Sequence, residues 1–535
     1  MSKEKLNTRA AAVVALAVMS SRLLGLAREL ILAALFGAGR GMDAYITAFR
    51  APNLLRDLFA EGALSVAFVT VFSKLGVEKG VGAAWLLARK MATLTLVFMT
   101  IVTALGIIFA GPLIGLLAPG FDPDKSAFTV ELTRIMFPFI LLVSLAALVM
   151  GMLNSRNVFG MPALASSFFN LGSIIGGVAV AWLIDPHFGP RALTGIAVGT
   201  LIGGLLQLLV QLPSLREVGF TFAFDFRWRD PQVKRVLILM LPAVIAASAV
   251  QVNVMVNSVF ASYLGDGAVS WLSYAFRLMQ LPLGIFGVAI ATVTLPAVSK
   301  IAAGGDMAHF CQTLGKALRL ALFLTLPATV GLVLLSDEII GLIYQRGKFS
   351  PADTFQTGAA LKFYAAGLMA YACIKVLSPA FYALDRRWTP MMVSFVSIAM
   401  NIFLNWQLTF RLGMGHRGLA LSTGLSAIAN FLLLYFFMRR AAGGMPTASL
   451  LGSFARMLLA AGGLAAACVA GRHFLAPWLA SAALIDRLWS LLAVIGVGAA
   501  VYFGLCALLR VEETSQAIAI AKRKINRRAI GSPGA

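Results

Sequence analysis

Apolar runs of about twenty residues or more recur along the whole chain, separated by short polar breaks, and each is long enough to cross a hydrocarbon layer as a helix. About fourteen runs are counted, at residues 10–36, 44–73, 83–118, 128–154, 161–184, 192–215, 232–264, 269–302, 309–335, 353–383, 389–411, 416–440, 450–475 and 485–510. The pattern predicts an all-α polytopic membrane protein.

Within several runs the polar residues recur at helical spacing. At about 100° per residue, Ser21, Arg22, Gly25, Arg28, Glu29, Leu32 and Phe36 fall within an arc of about 120° of the first helix. In the second, Asp43, Arg50, Asp57 and Glu61 lie near one line; Arg56 points elsewhere on an ideal helix unless the expected kink at Pro52 turns it back. Ser166, Asn170 and Ser173 make a stripe on the fifth helix, and Ser248, Gln251, Ser258 and Ser262 one on the seventh. On the eighth, Ser270, Ser273, Arg277, Gln280 and Gly284 share a face that Pro282 interrupts. Helices three, four, nine, thirteen and fourteen largely lack charge within the membrane, so the first set is expected to line a polar cavity.

Composition agrees with the pattern. The chain has 535 residues, of which 60% are hydrophobic and 12% charged, with mean hydropathy +0.88. A soluble domain carries about twice that charged fraction. The formal charge of +22 raises the question of nucleic acid. Assigning alternate loops to two sides places about 27 Lys and Arg with the N-terminus and about nine opposite, a positive-inside bias that puts both termini in the cytoplasm. The tail, Lys522 to Arg528, is expected against anionic headgroups rather than nucleic acid. The first apolar run is too long and too charged for a signal peptide, so it is expected to be retained.

Four scattered cysteines and four histidines beside expected loops support neither a disulfide framework nor a metal site. Enzyme motifs of the GxSxG, HExxH, Walker and GxGxxG kinds are absent from the sequence, which reads as a transporter rather than an enzyme, with no cofactor. MLNSRNVFGMPALASSFFN (152–170) resembles FYALDRRWTPMMVSFVSIAMN (381–401), with Pro162 and Pro390 in register. That spacing implies two halves of six helices in the same orientation, followed by an appended pair. The expected divisions are an N-terminal lobe (1–220), a C-terminal lobe (221–445), an appended pair (446–512) that either offers a groove for lipid tails or simply packs, and a basic tail (513–535).

Intramembrane ions are usually paired, so each arginine has a structural reading as helix glue against Glu29, Asp43, Asp57 or Glu61. As a set, Arg22, Arg28, Arg50, Arg56 and Arg277 outnumber the deep acids. The guanidinium fork matches phosphate and carboxylate oxygens. A cationic, hydrated cavity therefore suggests an anionic, phosphorylated substrate.

SRLLGLARE, FGAG, DAYITAFRAPNLLRDLFAEGALSVAFV, SVFASYLGDGAVSWLSYAFRLMQLPLGIFGVAIATVTLPAVSK, YQRGKFSPADT and LSPAFYALDRRWTP, in that order, resemble the MurJ (MviN) lipid II flippase family of the multidrug/oligosaccharidyl-lipid/polysaccharide exporter superfamily. The resemblance implies fourteen helices in two pseudo-symmetric six-helix lobes plus a final pair, in a bacterial cytoplasmic (inner) membrane. It implies transport of lipid II from the cytoplasmic to the periplasmic leaflet by alternating access, with the membrane potential or an ion gradient as candidate energy source. Arg22, Arg28, Arg56 and Arg277 would hold the pyrophosphate, and Asp43 and Glu61 would belong to the periplasmic gate. Ser21, Glu29, Arg50, Asn53, Asp57 and Gln280 would support the cavity. Membrane lipids and other cell-wall synthesis proteins are the further partners implied.

Asp57, Phe276 and Gln280 depart from charges carried by some relatives, and Asp385 stands one position from a common acid, so a sodium site is not carried over. The alternative within the superfamily is an exporter of another polyprenyl-pyrophosphate-linked glycan. A cation antiporter would prefer acidic cavity residues. A membrane glycosyltransferase would need an acidic motif the sequence lacks, and a scaffold would not need hydrated arginines.

Overall fold

A computed structural model describes residues 8–59 and 64–515. The described chain is helical, and ten of its helices are long and apolar enough to cross a membrane, or eleven if one bent pair is counted as a single span. The chain divides into two compact units. Unit 1 holds residues up to Ser270 together with Arg346–Ser350, and unit 2 holds Trp271–Gln345 and the chain from Pro351 onward.

Unit 1 contains α1 (Thr8–Phe36), α2 (Arg40–Phe59), α3 (Ser65–Lys79), α4 (Val81–Ile108), α5 (Ala110–Leu117), α6 (Pro123–Met136), α7 (Phe139–Ser155), α8 (Gly160–Ile184), α9 (Ala192–Leu209), α10 (Leu212–Glu217) and α11 (Pro231–Ser262). Prolines explain where the helices depart from the apolar runs. The run at 83–118 breaks after Ile108, because Pro112 has no N–H to give the Ile108 carbonyl and its ring crowds that turn. Pro138 interrupts the next run in the same way, separating α6 from α7. That run also starts earlier than its apolar stretch. Asp122 caps α6 by accepting from the Lys125 N–H at 3.1 Å, with Pro123 at the first helical position.

Small residues set the closest packing. Gly195, Gly199 and Gly203 recur every four residues on α9 and face α8. A Cβ at Gly199 would lie 2.2 Å from the Gly177 Cα, and one at Gly195 2.3 Å from the Ala181 nitrogen. The two backbones approach as small-residue helix pairs do in membranes. Phe68, Phe72, Leu87, Met91, Met152, Leu153 and Phe220 form a separate core joining α3, α4, α7 and the segment after α10.

α12 (Ala268–Pro282) starts in unit 1 and continues in unit 2. A π-helical turn, Leu283–Gly287, follows Pro282 before α13 (Val288–Ala303). Then come α14 (Met307–Leu334), α15 (Ser336–Tyr344), α16 (Pro351–Ala365), α17 (Leu368–Ala383), α18 (Trp388–Trp406), α19 (His416–Ala441), α20 (Thr447–Phe474), α21 (Ala476–Leu479) and α22 (Leu484–Leu508). α16 and α17 form the bent pair, at 45°.

α14 is central to unit 2, packing on α13, α16, α17 and α20. The α20/α22 pair is fastened to it by the Tyr502 hydroxyl, which donates to the Phe323 carbonyl at 3.1 Å. Arg319 of α14 corrects the reading of this helix as charge-poor. It is buried and bonds Glu513 at 2.7 Å and Glu512 at 2.6 Å, acids that follow α22. His416, beside a loop as expected, is not solvated. It is buried, 5.2 Å from the Trp271 ring, with its Nε2 3.1 Å from the Gln356 carbonyl.

Candidate functional site

The polar stripe of α2 is met residue by residue within unit 1. Asp43, 1% exposed, accepts from the Ser270 backbone N–H at 2.8 Å and hydroxyl at 2.6 Å through Oδ1, and from the Gly267 N–H at 2.7 Å through Oδ2. It thereby satisfies N–H groups at the start of α12 that have no intrahelical acceptor. The same Oδ2 takes a 3.0 Å bond from Lys125 Nζ, which also reaches Asp266 Oδ1 at 2.8 Å and lies 4.2 Å from the Phe121 ring centroid. Two acids, one lysine and two backbone donors thus tie α2, α6 and the α11–α12 connection together.

Seven residues on, Arg50 donates to Ser258 Oγ at 2.5 Å, and after another seven Asp57 accepts from Gln251 Nε2 at 3.1 Å. The partners descend α11 in sevens as the stripe ascends α2, so two matched polar lines run antiparallel. Asn53 donates to Asp57 at 3.5 Å, and Arg56 forks onto the same carboxylate at 3.1 and 3.3 Å. Arg56 therefore lies beside the stripe although ideal phase turns it away. Glu61 lies outside the described residues.

The charged face of α1 grades from open to closed. Arg22 is exposed, Arg28 half-buried and Glu29 buried. Asn170 of α8 donates to the Ser21 carbonyl at 3.2 Å, and its amide occupies the space beside Gly25. The Arg28 guanidinium sits 5.2 Å from the Phe169 ring centroid, in cation–π range. In unit 2, Arg277 and Gln280 are exposed on α12, immediately before the π turn. Arg22 and Arg277 thus present guanidinium groups at the surface of their own units, suited to anionic oxygens.

Lys125 and Asp266 were missed from sequence, because FDPDK reads as a loop and Asp266 falls between two expected runs. The Asp-Pro pair that caps α6 is the signal that would have placed Lys125 in its first turn. Nearby, Arg40 forks onto Asp122, with one bond at 2.7 Å. This fork, followed by the Lys125 backbone N–H, holds the Asp122 carboxyl at about 2, against an ordinary 3.8. A folded value below the ordinary one stabilises above about pH 4 and is lost as pH falls toward 2. Arg40→Gln is accordingly expected to lower the detergent unfolding temperature at neutral pH, with the difference from the parent closing between about pH 4 and 2. A pH-independent difference would exclude the fork as its source.

Comparison with known proteins places this geometry in context. The family model described as "Lipid II flippase MurJ" matches residues 32–486. A probable lipid II flippase MurJ of Vibrio cholerae serotype O1 is 34% identical over 509 residues, covering 93% of this chain and 95% of the relative. A solved lipid II flippase MurJ in an inward closed conformation superposes with a TM-score of 0.75 at 27% identity, covering 93% of this chain and 98% of that one. An inward-facing multidrug-resistance MATE family transporter of the MOP superfamily shares the fold, with a TM-score of 0.68 at 15% identity, covering 81% and 98%.

Proposed function

We infer the activity of this chain from the premise that it belongs to the MurJ family of lipid II flippases, whose model matches it over residues 32–486. It is a multi-pass membrane transporter of peptidoglycan biosynthesis that carries lipid II across the cytoplasmic membrane, from the cytoplasmic to the periplasmic leaflet. The likeness over nearly the full length of relatives and of a solved flippase carries this reading.

The finer reading is ours. α1, α2 and α11 carry the polar stripes and stand outside the set of ten apolar spans. Adding them gives about fourteen crossings, grouped as two lobes and a C-terminal pair, with both termini in the cytoplasm. Arg22, Arg28, Arg56 and Arg277 meet the pyrophosphate, and the exposure of Arg22 and Arg277 supports that role. The Asp43–Lys125 cluster is a latch on the periplasmic side. Its support is that one buried acid holds the start of α12, so releasing that acid frees the helix. Alternating access then follows if the latch opens as the opposite side closes, driven by the membrane potential or an ion gradient.

Depletion of the protein in its host, with no second flippase present, is expected to leave lipid II in the inner leaflet, out of reach of an externally added lipid II-cleaving enzyme. Undiminished cleavage from outside would reject the assignment.

A further inference from the structure

Between α10 and α11 the chain runs from Val218 to Asp230 without regular structure, and its sequence, VGFTFAFDFRWRD, has an aromatic at every second position from Phe220 to Trp228. The first of these faces inward. Phe220 is buried 5.5 Å from the Trp85 ring, within the α3/α4 core. The next three face out. Phe222, Phe224 and Phe226 are 50%, 63% and 62% exposed, and their rings form a row with centroids 5.0 and 6.1 Å apart. Single exposed apolar side chains are ordinary, but an ordered row of three outside any helix is not.

Three tethers fix the depth of this strap. Arg89 donates to the Thr221 carbonyl at 2.7 Å, the Asp225 N–H donates to Thr93 Oγ1 at 3.0 Å, and Lys90 Nζ bonds Asp230 at 2.6 Å. The three α4 residues occupy little more than one turn, and Lys90 is the last charged residue before the uncharged stretch Met91–Ile108. That turn therefore marks the edge of the hydrocarbon, and the strap lies at the level of the headgroups. The charge matches such a place. Arg227 forks onto Asp225 at 2.9 and 2.6 Å, while Arg229, Lys234 and Arg235 are exposed around it.

We propose that residues 220–229 are an interfacial anchor, in which Phe222, Phe224 and Phe226 insert beneath the headgroups of the adjacent leaflet while Arg229, Lys234 and Arg235 bind anionic phospholipid. Aromatic rings beside basic residues are the pairing that holds peripheral segments in this zone. The anchor fixes the start of α11, the helix that bears the partners of the α2 stripe, to the membrane surface. It does not depend on which lipid the protein transports.

A nitroxide attached at Phe224→Cys tests the depth, in the full-length protein reconstituted into vesicles containing phosphatidylglycerol. The four native cysteines are buried, and mock-labelled parent protein supplies the background. Collisions with oxygen should exceed those with a water-soluble nickel chelate. Nickel accessibility should fall several-fold below that of a label at Lys79→Cys, on the α3–α4 turn beyond Arg89. Equal nickel accessibility at the two positions would show a water-exposed strap, and low oxygen together with low nickel at position 224 would show a protein-covered one; either would overturn the anchor. Combining Arg229→Gln, Lys234→Gln and Arg235→Gln should abolish the difference in label depth between phosphatidylglycerol and phosphatidylcholine vesicles. A difference that survives would overturn the headgroup assignment.

Discussion

Arg28→Ala is expected to lower lipid II transport by on the order of tenfold to a hundredfold while leaving folded protein at the parental level, and Arg277→Ala to do the same. A charge-assisted hydrogen bond contributes about 1.5–3 kcal/mol, and each 1.4 kcal/mol is about tenfold in an equilibrium constant. The competing role for Arg28 is adhesive, since its guanidinium faces Phe169 on the neighbouring helix. A cation–π pair contributes about 0.5–1 kcal/mol when exposed and about 2 when desolvated, small against the roughly 5–15 kcal/mol that holds a folded protein. Arg277 has a simpler test, because it is exposed on α12 and its removal opens no cavity in unit 2. The measurement pairs flipping in reconstituted vesicles with the amount of monodisperse protein in detergent. Loss of the protein itself in Arg28→Ala would assign that residue to packing α1 on α8. Arg28→Lys separates the two roles further, because lysine keeps the charge but loses the fork that matches phosphate.

Much of this site can be read from spacing alone, for a physical reason. A helix phases its residues by about 100° each, so Asp43, Arg50 and Asp57, seven apart, had to share a face, and each meets a partner in unit 1. The α11 partners of Arg50 and Asp57, Ser258 and Gln251, are legible for the same reason. What periodicity cannot supply is which residue stands opposite across a fold. Lys125 is 82 positions from Asp43, in a segment too polar to register as part of a span, and only the Asp-Pro cap hints that it is helical. Arg319 escaped because its partners, Glu512 and Glu513, lie beyond the last apolar run. The strap at 218–230 escaped because its aromatics alternate in twos outside any helix, so a search for long apolar runs passes over it. Proline positions explain two further differences. A hydropathy window averages across Pro112 and Pro138, whereas the backbone breaks where the missing N–H leaves a carbonyl without its donor.

Lys125→Ala is expected to destabilise the protein by about 3 kcal/mol, near the lower end of the cost of removing one partner from a buried ion pair. Lys125 and Asp43 are 3% and 1% exposed at their side chains, so water does not replace the lost ammonium. The cost is held down by the three bonds Asp43 keeps, from Gly267 and twice from Ser270. It is held up by Asp266, which loses the same lysine. Asp43→Asn alone removes the charge and keeps one acceptor oxygen, which can hold both Ser270 donors while the Gly267 N–H loses its acceptor, so it too should destabilise the protein. With both changes present the stranded carboxylate is gone, and the double variant should be more stable than the simple sum by at least about 1 kcal/mol. Thermal unfolding of the four proteins in one detergent at neutral pH measures that coupling. Additive effects would mean that the lysine and the acid do not act on one another, and that Asp43 holds α12 through its backbone bonds alone. A positive coupling, with transport lost in Asp43→Asn while the fold persists, would identify the carboxylate charge as the part of the latch that transport requires.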